Sequence, residues 1–122
     1  MNIKDAFKAN YVESLSTELK SVDVPELSVG DDKFKVYYQT SINGEHFAEL
    51  MMLFEKGDQA RLMFTAFNRL GLKKDGSRMF KDLELNSMLK GGYAPSIVIR
   101  VGSEIINEVF GSIETIDDAK KP

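Results

Sequence analysis

A chain of 122 residues with 43% hydrophobic and 29% charged residues and a formal net charge of -3 has the make-up of one soluble globular domain. That charge argues against general affinity for nucleic acid or anionic membrane, which both rest on dense positive charge. The absence of cysteine removes disulfides, thiolate nucleophiles and thiolate metal ligands together and leaves the fold to packing alone.

The opening MNIKDAFKAN has no apolar run of signal-peptide length, and nowhere do about 18 apolar residues follow one another, so neither export by such a signal nor membrane spanning is expected. Ile3, Ala6 and Phe7 would share one side of a short helix over Ile3 to Ala9. Ser16 to Val24 alternates, with Leu19, Val22 and Val24 apolar, and Pro25 closes it as an edge strand. After the turn cluster Val29-Gly30-Asp31-Asp32, a second strand carries Phe34, Val36 and Tyr38 on one face. The two strands are expected to pair as a hairpin whose Phe34, Val36, Tyr38 face lies on helices.

Thr40, Ser41 and Asn43 each suit the cap of a first long helix, which carries Phe47, Leu50, Met51 and Phe54 on one stripe and is stopped by Gly57. Asn43-Gly44 is also a hairpin signal, but the period after it is helical. Asp58 caps a further helix with the stripe Leu62, Met63, Ala66, Phe67, Leu70, and Phe64 falls on another face. Arg69, Lys73, Lys74, Arg78 and Lys81 surround an Asp75-Gly76 turn with only Asp75 to offset them. Asp82 suits the cap of a short helix with Leu85, Met88 and Leu89, ended by Gly91-Gly92. Pro95 then suits the first turn of a last helix, Ser96 to Phe110, whose apolar residues wrap nearly its whole circumference. Propensity alone would make SIVIRV a strand, but length and the spacing of IVIRVGSEIINEVF favour helix. The predicted fold class is α+β, mainly α: an N-terminal β-hairpin and about four helices in one domain over residues 1–111, with 112–122 as a flexible C-terminal tail.

For catalysis the inventory is poor. His46 is the one histidine, and no serine stands in a nucleophile-elbow or S-x-x-K setting. The carboxylates lack metal-ligand spacing, the D-G-S turn lacks the other acids of a calcium loop, and G-L-K-K-D-G lacks the end of a phosphate loop. No enzyme activity, metal or cofactor is expected. Apolar supply is what stands out: Met52, Phe64, Ile99 and Phe110 are hard to bury in one small domain and are the candidate protein-binding residues. The basic turn, Arg69, Lys73, Lys74, Arg78 and Lys81, is the alternative site, for nucleic acid, although only Phe80 offers an aromatic for base stacking.

Phe67 to Asn107 resembles the tail assembly chaperones of long-tailed bacteriophages. The likeness is carried by Arg69-Leu70-Gly71 ending a helix, the Asp75-Gly76 turn, Met79-Phe80, a short helix with Leu85 and Leu89, and a last helix closing on Ile105-Ile106-Asn107. The hairpin before the helices is similar too. The resemblance implies a small, mainly helical protein of the host cell cytoplasm, absent from the mature virion, that binds the tape-measure protein, recruits tail-tube subunits and self-associates. It also implies a -1 frameshift in many members that appends a second domain, to which an A-rich run encoding Ala119-Lys120-Lys121 would be suited.

Overall fold

Two short runs of alternating residues open the described part of the chain and form an antiparallel hairpin, β1 (Lys20–Asp23) and β2 (Lys35–Tyr38), with Val22 opposite Val36. The computed structural model describes residues Asn2, Ile3, Asp5 and 19–120, with side chains to Gly111. The helix expected over Ile3 to Ala9 and the strand residues before Leu19 lie outside the described residues, as do the side chains of Ile113 and Ile116. The hairpin faces as the alternation requires: Val22, Val24, Val36 and Tyr38 are buried. Phe34, expected with them, stays 37% exposed at the hairpin's open end. Beyond β2 the backbone adds one more pairing, since Tyr37 and Leu72 exchange both N–H···O bonds at 3.0 and 2.7 Å. That pairing ties the basic turn to the hairpin.

Four helices come next in the chain: α1 (Gly44–Lys56), α2 (Gln59–Leu70), α3 (Leu85–Lys90) and α4 (Pro95–Lys120). Of the three possible caps of α1 it is Asn43 that acts, its side chain accepting from the His46 N–H at 2.8 Å. Asp58 likewise caps α2 through the Arg61 N–H at 3.2 Å. Gly57 separates the two helices in the left-handed region, φ 75°, where a side chain would be strained. The architecture is therefore α+β and mainly α, as the pattern predicts, and SIVIRV is helical.

The centre of the core differs from expectation. α2, between α1 and α4 and touched by α3, buries Leu62, Phe64, Thr65, Ala66, Phe67, Asn68 and Leu70. A helix contacted on several sides has little outer face left, and Phe64 is accordingly 5% exposed and part of the core. α4, expected to be central, packs chiefly along α2 through Val98, Val101, Ile105, Ile106 and Val109. Its helical backbone runs on through Gly111 to Lys120, beyond the expected end at Phe110. The α1 stripe is rotated as well, so that Leu50 and Leu53 are buried and Phe54 is 51% exposed. Among the described residues no helix is long and apolar enough to cross a membrane.

Candidate apolar docking cleft

An apolar cleft of about 440 Å³ opens where the hairpin meets the far end of the helices. The hairpin side brings Leu27 and Phe34, the start of α4 brings Tyr93 and Ile97, and Phe67 of α2 with Phe80 completes it. Each is placed by a local cause. Pro25 starts a single 3-10 turn, Pro25–Leu27, which lifts Leu27 off the end of β1. Gly91 and Gly92 at φ 153° and 83° turn the chain sharply after α3 and present Tyr93 before Pro95 begins α4. Phe67, Phe80 and Tyr93 form a chain of rings, with centroids 5.2 and 5.8 Å apart. The arrangement holds the aromatic wall in one shape. Leu27 at 43%, Phe34 at 37% and Tyr93 at 36% exposure leave the mouth greasy and open to solvent.

The hairpin side is fastened to α4 by charge. Arg100 donates to both carboxylate oxygens of Glu26, at 2.8 and 2.6 Å, and to the Asp23 carbonyl at 3.2 Å. The hydrogen bond from Arg100 holds the Glu26 carboxyl below its ordinary pKa. Lys20 reaches Glu108 two turns further along α4, at 3.2 Å.

The segment carrying Phe80 is fastened to α2 through Asn68, which is fully buried. Its Nδ2 donates to the Lys81 carbonyl at 3.0 Å, its Oδ1 accepts from Arg69, and its carbonyl accepts from Arg78 Nη2 at 2.9 Å. The basic turn is thus in large part structural. Arg69 forms a paired contact with Glu49 at 3.0 and 3.1 Å, and Arg78 reaches Asp82 at 2.7 Å. Lys73, Lys74 and Lys81 are exposed. Asp82, expected to cap α3 by its side chain, spends its carboxylate on Arg78, and it is Glu84 that accepts the Lys81 N–H at 3.0 Å.

The hydrogen bond from Arg78, assisted by Arg69 and His46, lowers the Asp82 pKa from 3.8. A carboxylate whose pKa is lower folded than unfolded stabilises the fold above its unfolded value, and this contribution is lost as pH falls through the lower folded value. The Asp82 side chain is 56% exposed, so solvent screens the pair and the loss is below about 1 kcal/mol. Urea titrations between pH 6 and pH 2.5 should therefore show a slightly shallower acid destabilisation for Asp82→Asn than for the parent.

Of the four candidate binding residues, Met52 at 49% and Ile99 at 39% are exposed, as expected. Phe110 is half-buried against Phe47 and Phe54, with ring centroids at 6.0 and 6.2 Å. Phe64 is the correction: it lies in the core and offers this surface nothing. The cleft residues Leu27, Phe34, Tyr93 and Ile97 were not among the candidates, because they meet only after the hairpin folds onto a helix some 60 residues later. Among the described residues no group of three or more His, Asp or Glu could hold a metal ion. His46 stands in the first turn of α1 with its backbone on the Asn43 cap.

No family model, curated protein or solved structure matches this chain. The cleft therefore has to be read from its own chemistry.

Proposed function

We propose that this chain is a non-enzymatic tail assembly chaperone that takes apolar side chains of the tape-measure protein into the Leu27, Phe34, Tyr93, Ile97 cleft. The observation that carries the reading is the cleft itself, about 440 Å³ with an exposed apolar mouth and a fixed aromatic wall. A preformed apolar cleft binds by removing apolar area from water, and each large side chain it buries contributes roughly 1.5 to 3 kcal/mol. Two such side chains suffice for holding that a later assembly step can reverse. The order of motifs from Phe67 to Asn107 supports the same reading and names the client. On it the protein works in the host cell cytoplasm, presents the held client to tail-tube subunits and is absent from the mature virion.

A nucleic-acid role for the basic turn has less support. Arg69 and Arg78 are already committed to Glu49 and Asp82, which leaves Lys73, Lys74 and Lys81 to meet phosphate.

Co-expression of the chain with the tape-measure protein, followed by sedimentation, tests the proposal. The client should remain in the soluble fraction in complex with the chain. Tyr93→Asp, at a 36% exposed position, should leave helicity intact and weaken the complex by about tenfold or more, the equivalent of about 1.4 kcal/mol. A client equally soluble with and without the chain would overturn the reading, and salt-sensitive DNA binding lost in a Lys73→Glu, Lys74→Glu variant would favour the basic turn.

A further inference from the structure

A second apolar feature has the opposite shape to the cleft. On α1, Met52 is 49% and Phe54 51% exposed, and Phe54 stands edge-on to Phe110, which is itself edge-on to Phe47. The three rings make Phe54 a supported projection and not a loose side chain. Cleft and projection sit at opposite ends of one helix: Ile97 of α4 lines the cleft, and Phe110 of α4 supports Phe54. Thirteen residues separate these two positions, roughly 20 Å at the helical rise. No copy can therefore place its own Phe54 in its own cleft.

The charges beside the two features also match. Lys33 and Lys81 adjoin the lining residues Phe34 and Phe80, and Lys90 stands two residues before Gly92. Glu26, the acid next to Leu27, is already held by Arg100. Beside Phe54 stands the exposed Glu55. A cation-rimmed apolar hole and an apolar projection flanked by an acid are complementary in shape and sign.

We infer that the cleft of one copy receives Phe54 and Met52 of the next, so that copies associate head to tail, and that a client competes with this contact for the cleft. A patch that meets a different patch on the next copy does not close on itself as a two-fold dimer does, and so builds open chains. One projection in one cleft is a small interface and correspondingly reversible. Self-association then covers the greasy mouth until a client displaces it. The inference rests on reading the cleft as a docking site, and it is independent of which client binds there.

The chain has no cysteine, so a thiol crosslink can be placed at will. A Glu55→Cys chain and a Lys33→Cys chain, each keeping its projection and cleft intact, are mixed in equal amounts and treated with a short bismaleimide. The expected product is a crosslinked heterodimer at least tenfold more abundant than the dimer formed by either variant alone. Adding Phe54→Asp to the Glu55→Cys chain should remove it, and so should saturating tape-measure segment. Sedimentation of the unaltered chain should give a mass that rises with concentration past that of a dimer.

A constant monomer mass, or Glu55→Cys crosslinking to itself as well as to Lys33→Cys, would overturn the head-to-tail contact. Crosslinking that persists under saturating client would overturn the competition. Loss of the crosslink result with client binding still sensitive to Tyr93→Asp would sink this inference and leave the proposed function standing.

Discussion

Gly102→Ala should lower the melting temperature by about 10 to 20 °C, although alanine is the better helix former by about 1 kcal/mol. Gly102 lies inside α4 where it crosses α2, and a Cβ added there would come within 2.5 Å of the Met63 carbonyl oxygen and 3.0 Å of the Met63 Cα. Both atoms are backbone of a buried helix and cannot swing aside as a side-chain end would. The helices must separate, which loosens the packing of Val98, Val101 and Ile105 on α2. Overpacking of this kind costs about 3 kcal/mol, more than the propensity gain, so the sign is destabilising. Gly102→Val should cost still more. The matched control is Gly111→Ala in the same helix, where an added Cβ meets nothing within 4 Å and the melting temperature should hold or rise. Thermal unfolding followed by circular dichroism separates the two.

Asn68→Leu is expected to cost about 2 to 4 kcal/mol by urea unfolding, despite the similar size of the two side chains. The substitution leaves the Lys81 carbonyl without its donor and removes the oxygen that accepts from Arg69. A buried polar group that loses its partner carries the full cost of its desolvation. The effect should also reach the cleft, because the Asn68 contact with Lys81 fixes the residue next to Phe80, whose ring packs on Phe67 and Tyr93. Client affinity should therefore fall in this variant even where the protein remains folded, whereas Gly111→Ala should leave affinity unchanged.

Local signals in the sequence were enough for the elements. Asn43 and Asp58 as caps, Gly57 as a stop, Pro95 in a first turn and the alternation around Val22 and Val36 all act over a few residues, and all appear in the structure as read. SIVIRV is helical against its β propensity because Val98, Val101 and Ile105 need a helical period to reach α2 together.

What sequence could not give was the number of neighbours around each helix. Phe64 looked surplus because it lies off the α2 stripe, yet α2 is touched by α1, α3 and α4 and has burial on nearly every side. The basic turn looked like a free cationic patch because the carboxylate that meets Arg69 is Glu49, twenty residues earlier on another helix. The cleft was invisible for the same reason. Leu27 and Phe34 read as hairpin residues and Tyr93 as part of a chain reversal, and only tertiary assembly makes them one surface.

The central claim is that the Leu27, Phe34, Tyr93, Ile97 cleft is where an apolar client docks. Its most direct test is methyl NMR of the Leu, Ile and Met side chains while an amphipathic helical segment of the tape-measure protein is titrated in. The account predicts saturable shifts centred on Leu27, Met79 and Ile97, which line the cleft, and their loss in Tyr93→Asp. Shifts centred instead on Met51 and Met52 of α1, or no saturable change at any methyl, would contradict it.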